Sequence, residues 1–504
     1  MLDVGPSEFR DLLLLKLFSL IDESRRYLSA VSSIEIESSA ALEEFEDTCN
    51  ENNSKWENEI RHRVETIFDC TCKELEEKYD GARLVRAHSP YADDELKCTI
   101  LFRLFAITIP DFGYDARTGV IMDHLRLMLR ISKELYVRDV ERNMAEQIKN
   151  GYLSEQQDLN AQSTLNGRLR KRLLIGLGAV TGGVALGVTA GFAAPVVIPF
   201  FGSLLGLSAG AAFLTGTTAT AIFVVVFGAG GAGLASYKVE RRYQDINSFH
   251  FRPVTSQDQM RVAVGISGWI TEDADIYRPW MGLAVPGVDL FVLEVEKESF
   301  KTLGSALSNL IRTSAVGYAA SELLKTTALA TAMAALSWPV TVLQAGSLID
   351  NPWSVCVNIA EKSGLVLADA IRKRVHGHRP ITLAGHSLGA LVIFTCLREL
   401  AKDPDINMGV IENVALFGLP EVIFPLEDWV RMRMLVAGRF VHCYSRNDWV
   451  LRFLYRSTAL TSADIAGLNP ISVTGIENVN MSNFVKGHLE YAEKTAEMLE
   501  MFNL

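Results

Sequence analysis

The spacing of apolar residues divides the chain into three blocks, of which the first is helical. From residue 1 to about 165, apolar positions recur at intervals of three and four residues, the period of an amphipathic helix. The first set is Phe9, Leu12, Leu13, Leu17 and Leu20. Acidic and basic residues alternate over 42–78, as on a solvated helix or a short coiled coil. We therefore expect an α-helical domain over 1–165, ending in a polar linker over 149–167.

The second block is uncharged. Residues 173–237 contain no Asp, Glu, Lys or Arg, whereas about 20 apolar residues suffice to cross a bilayer once. Two prolines and a glycine interrupt the run near its middle, so the pattern predicts two spans, 173–194 and 208–236. Lys and Arg flank both ends, and the positive-inside rule then places both ends in the cytosol. We expect a transmembrane helical hairpin over 168–242; the alternative is an apolar pair of helices buried within protein.

In the third block, 250–504, short apolar runs alternate with helix-like stretches. Strand-like runs occupy 261–266, 289–295, 381–384, 414–417, 439–444 and 476–479. The last segment, 489–502, has a helical pattern. Such alternation predicts a mostly parallel sheet covered by helices on both faces.

A long insertion separates the second and third of these strands. Within it, residues 326–349 carry no charge and are rich in alanine. A buried helix, a lid over the active site and a segment that dips into a membrane all fit this pattern, and the role of 300–350 stays open.

Composition and charge exclude several classes of protein. A net charge of −11 argues against general nucleic-acid binding. The seven cysteines are irregularly spaced and form no paired C-x-x-C motif, so we expect neither a disulfide framework nor a metal site. The first charged residue of the N-terminal segment, Asp3, is acidic, and the segment does not resemble a signal peptide.

The clearest chemical signal is the sequence Gly385-His386-Ser387-Leu388-Gly389. It lies between a strand-like and a helix-like run, the setting of the nucleophile elbow of α/β hydrolases. The two glycines suit a tight turn in which side chains would collide with the neighbouring strand and helix. Ser387 is therefore the candidate nucleophile, and His386 is expected to support the turn.

An acid and a base follow in the order that this fold requires. Asp448 comes just after the strand 439–444, and His488 comes in the loop after 476–479. His488 would accept the proton of Ser387, and Asp448 would orient the imidazole and stabilise its charged form. The rival acids are Asp428 and Asp464. The rival base is His442, which lies within a strand.

The oxyanion of an acyl-transfer reaction needs backbone donors. One is expected to be the N–H of Leu388, the residue after the nucleophile. The other is expected from Gly268 or Trp269, because the loop after the early strand 261–266 reaches the same edge of the sheet. No cofactor is required by this chemistry.

Four motifs together resemble the DUF726 family of α/β-hydrolases, which includes transmembrane and coiled-coil domain-containing proteins and lipase-like fungal proteins. They are GHSLGA at 385–390, GISGW at 265–269, YSRNDWVL at 444–451 and KGHLEY at 486–491. The resemblance covers roughly residues 80–500. It implies a membrane-associated serine hydrolase with Ser387, Asp448 and His488 as its triad.

Taken together, these features predict an α/β hydrolase preceded by a helical domain and a membrane hairpin. The expected activity is hydrolysis of carboxylic esters, with lipid or other membrane-partitioned esters as substrates. The expected location is an intracellular membrane, with both terminal domains facing the cytosol. The alternative is a catalytically silent scaffold or trafficking adaptor, and a protein partner for the helical block is left open.

Overall fold

The structure is a computed structural model of the 504-residue chain. It describes residues 13–23, 40–68, 70–78, 94–109, 113–150, 248–305, 352–454 and 465–502, with short gaps at 256–257 and 284 and with isolated positions that include Val226, Phe227 and Leu234. The linker beyond residue 150 and the part of the insertion over 306–350 lie outside these residues.

The N-terminal part is helical. Its helices are α1 (13–23), α2 (Ala40–Phe68), α3 (Cys72–Lys78), α4 (Asp94–Thr108), α5 (Ala116–Met128) and α6 (Lys133–Tyr136). The last of these continues as a π-helical turn over Val137–Arg142 and then as α-helix over 143–150. The charged stretch predicted over 42–78 forms the long α2 and the short α3. One face of α2 is apolar and buried, because Leu42, Phe45, Trp56 and Ile60 recur at helical spacing.

The C-terminal part is built around a seven-stranded sheet of order β1-β3-β2-β4-β5-β6-β7. The strands are β1 (Phe249–Thr255), β2 (Arg261–Gly268), β3 (Val288–Val295), β4 (Ile381–Ser387), β5 (Ile411–Phe417), β6 (Phe440–Tyr444) and β7 (Ile476–Asn480). β1 pairs antiparallel with β3, and the other neighbouring pairs are parallel. The central strands β4 and β5 are buried at nearly every position, as expected where both faces are covered.

The described helices of this part lie mainly between strands. One helix, over 297–305, follows β3. The others are α7 (Pro352–Arg372), α8 (Leu388–Leu400), α9 (Pro404–Asn407), α10 (Leu426–Leu435), α11 (Trp449–Leu454) and α12 (Glu490–Phe502). α8 packs against α7 and against the strands β2, β4 and β5. This alternation of strands and helices is an α/β fold, and the six strands predicted from sequence are confirmed as β2 to β7.

The edge strand β1 was not predicted. Along it Phe249 and Phe251 are buried while His250 and Arg252 are exposed, so only half of its residues are apolar. Pro253 weakens the pattern further, although proline is tolerated on an edge strand, where its missing N–H removes no ladder hydrogen bond. An exposed, antiparallel edge therefore left a much weaker signal than the buried parallel strands.

The helical part packs against the amino-terminal ends of the strands. The backbone N–H of Tyr114 donates to the carbonyl of His378, and that of Ala116 donates to the carbonyl of Gly409, both at 2.8 Å. Arg261, the first residue of β2, forms ion pairs of 2.8 Å with Asp123 and Glu141 of the helical part. The carboxyl ends of the strands lie at the opposite edge of the sheet.

The transmembrane helical hairpin predicted for 168–242 is the part of the expected fold that the structure contradicts. Within the described residues, every helix is too short or too polar to cross a membrane. Of the predicted second span, Val226, Phe227 and Leu234 are described, and all three are buried against protein. The Arg379 guanidinium lies 5.3 Å from the centre of the Phe227 ring, so these apolar side chains contact the folded part. The remainder of 168–242 lies outside the described residues.

Candidate active site

Ser387 lies at the turn from β4 into α8 and has an unusual backbone conformation. Its φ is 57° and its ψ is −129°, outside the regions that L-residues ordinarily occupy. The flanking glycines make this turn possible. A Cβ on Gly385 would lie 2.8 Å from the backbone of Gly389, and one on Gly389 would lie 2.1 Å from the Ile266 carbonyl oxygen. The tight turn inferred from the sequence is therefore present, with Ser387 in a strained conformation.

Gly268, the last residue of β2, lies against the same turn. It pairs with Ser387 in the β2–β4 register. A Cβ at Gly268 would lie 2.0 Å from the Gly389 nitrogen and 2.3 Å from the Leu388 nitrogen. Leu388 is the first residue of α8, so its N–H has no partner within the helix. The structure thus brings the two backbone segments of the predicted oxyanion hole together.

His488 connects Ser387 with Asp448. Its Nε2 lies 2.7 Å from the Ser387 Oγ, and its Nδ1 lies 2.6 Å from the Asp448 Oδ2. Since the carboxylate can only accept, Nδ1–H donates to Asp448, which leaves Nε2 to accept the Ser387 hydroxyl proton. All three side chains are buried. The three residues singled out from sequence therefore form one continuous series of hydrogen bonds.

Asp448 is fixed by both of its carboxylate oxygens. While Oδ2 faces His488, Oδ1 accepts the backbone N–H of Leu451 at 3.0 Å, in the first turn of α11. The backbone N–H of Asp448 in turn donates to the Ser445 carbonyl at 3.1 Å. The acid therefore has little freedom to turn away from the imidazole.

The loops that carry Asp448 and His488 are tied together by hydrogen bonds that the sequence did not reveal. The buried hydroxyl of Ser445 donates to the Val485 carbonyl at 3.0 Å. The side-chain amide of Asn447 donates to the Ser482 carbonyl at 2.7 Å. These contacts join residues about 35 to 40 positions apart, so spacing along the chain gives no sign of them.

Two aromatic rings hold the imidazole of His488 edge-on. The Trp269 ring lies 5.5 Å from it and the Tyr491 ring lies 5.9 Å from it, both in T-shaped arrangements. The sequence singled out Trp269 for its backbone N–H, as a candidate oxyanion donor. The contact of its ring with His488 was not predicted. Tyr491 was not singled out; it follows His488 by three residues, across the turn that leads into α12.

His386, within the turn, packs against a neighbouring aromatic ring. Its ring stacks on that of Trp280 with centroids 6.3 Å apart, and burial lowers its pKa from 6.5 to about 3. The Trp280 indole N–H donates to the Ser267 hydroxyl at 3.0 Å. A ring that stays neutral at physiological pH is suited to packing, and it does not compete with His488 as a base.

The two rival residues that the structure describes, Asp428 and His442, lie on other elements. Asp428 is in the first turn of α10, and Asp464 lies outside the described residues. His442 is buried within β6, where its Nε2 lies 2.9 Å from the Ala466 carbonyl oxygen and burial lowers its pKa to about 4. Across the described part of the chain, no group of three or more His, Cys, Asp or Glu side chains is arranged to hold a metal ion.

Comparison with known proteins identifies relatives over most of the chain. A family model described as "Protein of unknown function (DUF726)" matches residues 167–504. The transmembrane and coiled-coil domain-containing protein STS1 of Oryza sativa subsp. japonica is 36% identical over 78% of this chain and 61% of its own length. An uncharacterized membrane protein of Schizosaccharomyces pombe is 33% identical over 87% of this chain and 58% of its own length.

A third relative carries an enzyme name. The "Probable lipase MIL1" of Saccharomyces cerevisiae is 32% identical over 81% of this chain and 38% of its own length. The chain thus corresponds to about 60% of the rice and fission-yeast relatives and to less than half of the budding-yeast one. No solved structure matches the chain at a significant level.

Proposed function

This chain belongs to the DUF726 family, as its motifs predicted, and on that premise we propose that it is a serine hydrolase that cleaves carboxylic esters. The observation that carries the proposal is the hydrogen-bonded series from Ser387 through His488 to Asp448, with distances of 2.7 and 2.6 Å. Such a series is the arrangement by which a serine hydroxyl, a weak nucleophile at neutral pH, is activated.

In the acylation step, the Ser387 Oγ attacks the carbonyl carbon of the ester while His488 Nε2 takes the hydroxyl proton. The imidazolium that forms is stabilised by the Asp448 carboxylate, which accepts from Nδ1–H. The carbonyl oxygen becomes an oxyanion, for which the N–H of Leu388 and a backbone N–H at Gly268 or Trp269 are the proposed donors. Collapse of this intermediate breaks the bond to the alkoxide, which leaves with the proton from His488.

In the deacylation step, water takes the place of the alcohol. His488 Nε2 removes a proton from the water, whose oxygen attacks the acyl carbon bound to Ser387. The second tetrahedral intermediate collapses to the free acid, and the proton returns to the Ser387 oxygen. The two aromatic rings that contact His488, Trp269 and Tyr491, keep the imidazole in line for both transfers.

Lipid esters at a membrane are the substrate class that we propose. Two of the relatives are named as transmembrane or membrane proteins and a third as a probable lipase, which supports a membrane-associated activity on lipids. A buried triad supports the same substrate class, because a water-excluding site suits an apolar acyl chain.

Labelling with a fluorophosphonate probe tests the proposed activity. The wild-type chain should react covalently at one serine, and Ser387→Ala should abolish the reaction. Ser363→Ala is the matched control, because Ser363 is equally buried but lies in α7 and bonds the Ile359 carbonyl. Failure of the folded wild-type chain to react would favour the alternative, a catalytically silent scaffold or trafficking adaptor.

A further inference from the structure

Three large apolar side chains are exposed on segments that follow the parallel strands β2, β5 and β6. Met281 is 71% exposed between β2 and β3, Phe424 is 61% exposed between β5 and α10, and Trp449 is 36% exposed directly after Asp448. Each of these segments leaves the carboxyl end of a parallel strand, the edge at which Ser387 and His488 lie. Large apolar side chains exposed on connections that start at one edge make that edge a candidate docking surface.

Positive charge surrounds one of these side chains, Trp449. Arg446, Arg452 and Lys486 are all exposed. The Arg452 guanidinium donates to the Arg446 carbonyl at 2.6 Å. Lys486 precedes Gly487, at which a Cβ would lie 3.8 Å from the Trp449 indole nitrogen. We call these four residues, Arg446, Trp449, Arg452 and Lys486, the Trp449 patch.

Among the described residues, the acidic side chains nearest in sequence to the Trp449 patch, Asp448 and Glu490, are already paired. Asp448 is fully buried in its contact with His488, and Glu490 forms an ion pair of 2.9 Å with Lys494. The exposed side of the patch is therefore basic, although the whole chain carries a net charge of −11. Because salt screens charges beyond about 8 Å, the patch can attract an anionic surface at short range despite this net charge.

We propose that the Trp449 patch docks the active-site edge onto an anionic phospholipid bilayer. The inference rests on the proposed function and adds which face meets the lipid and which lipid charge attracts it. Tryptophan favours the headgroup level of a bilayer, where its ring is buried and its N–H stays hydrated. Lys and Arg are attracted to anionic headgroups at the same depth. An acidic protein would match the charges alone, whereas a bilayer also accommodates the exposed Met281 and Phe424.

The test compares hydrolysis of one lipid ester in phosphatidylcholine vesicles, with and without phosphatidylserine, by the full chain. Each rate is divided by the rate of the same preparation on a soluble short-chain ester. For the wild type this ratio should rise with phosphatidylserine and fall at high salt. For the triple variant Arg446→Gln/Arg452→Gln/Lys486→Gln, the ratio with phosphatidylserine should be roughly ten- to hundredfold lower.

The control variant Arg130→Gln/Arg142→Gln/Lys402→Gln removes the same number of exposed charges away from the active-site edge and should keep the wild-type ratio. An unchanged ratio in the patch variant, or an equal loss in both variants, would overturn the docking proposal. If the wild type hydrolyses neither ester, cosedimentation with the same vesicles tests the docking proposal instead. Binding that depends on phosphatidylserine and on the patch would then support docking while the proposed hydrolase activity fails.

Discussion

Gly268 lies directly opposite Ser387 in the parallel pairing of β2 with β4. It is close enough that a Cβ there would lie 2.0 Å from the Gly389 nitrogen. The elbow is therefore held by contacts between two strands as well as by its own turn. The strand β2 contributes to the site through its backbone.

Gly268→Ala should remove activity and stability together. The added methyl group meets backbone atoms, which cannot rotate away, so we expect a loss of at least about 2–3 kcal/mol and no labelling by a fluorophosphonate probe. Thermal unfolding and labelling of the same samples measure both effects. Gly282→Ala is the control, because nothing lies within 4 Å of a Cβ at that position. A fully labelled, stable Gly268→Ala protein would contradict the close approach.

Asp448→Asn should slow labelling roughly 10³- to 10⁴-fold while the fold is retained. The carbonyl of an asparagine can still accept the Leu451 N–H, but an amide cannot stabilise the charged imidazole of His488. The measurement is the second-order rate of labelling. Asp428→Asn, at the rival acid, should leave that rate unchanged, and the reverse pattern would transfer the role to Asp428.

Ser445→Ala should lower the labelling rate through the position of Asp448. Its buried hydroxyl joins the loops that carry Asp448 and His488, and its loss leaves the Val485 carbonyl and the Asn447 N–H without that partner. We expect a destabilisation of about 1–3 kcal/mol together with slower labelling, both measured on purified protein. Ser363→Ala removes an equally buried hydroxyl far from the site and should leave the labelling rate as in the wild type.

A buried ionic cluster should make stability depend on pH. Arg261 contacts Glu412 at 2.7 Å and Glu141 and Asp123 at 2.8 Å. Burial raises the pKa of Glu412 from 4.5 to about 7, against the opposing effect of Arg261. Because the folded state binds this proton more tightly, the stabilising contribution is complete below about pH 4.5. It is lost as the pH rises through about 7, at up to about 1.4 kcal/mol per pH unit.

Glu412→Gln should remove this dependence, because its side chain stays neutral. The melting temperature of the variant relative to the wild type should therefore increase between about pH 5 and pH 8. Glu23→Gln, at a half-exposed carboxylate paired with Lys16 at 3.3 Å, is the control and should show no such trend. A constant difference for Glu412→Gln would mean that Glu412 stays ionised throughout this range.

The sequence predicted the features that depend on residues close together along the chain. The elbow was recognisable because a tight turn needs Gly385 and Gly389, and the strands β2 to β6 were recognisable because buried parallel strands are largely apolar. β1 was missed since an exposed edge strand mixes polar and apolar residues. Contacts such as Ser445 with Val485 could not be predicted, because they depend on how two distant loops meet.

The hairpin prediction failed for a related reason. An uncharged segment signals that it avoids water, but the sequence does not say what it packs against. Phe227, within the predicted second span, lies beneath the Arg379 guanidinium instead of facing lipid. Composition shows that a segment is hydrophobic, but it does not show whether the segment packs against protein or against lipid.

The long helix α2 belongs to the two largest hydrophobic clusters of the described chain. Its first turns place Leu42, Phe45 and Cys49 in the core that includes the sheet, whereas Trp56 and Ile60 lie in the core of the helical part. A helix shared in this way cannot melt in one core without exposing apolar surface in the other. We therefore expect the helical part and the sheet to unfold in a single cooperative transition. A substitution that destabilises the helices should then also destabilise the elbow at Ser387.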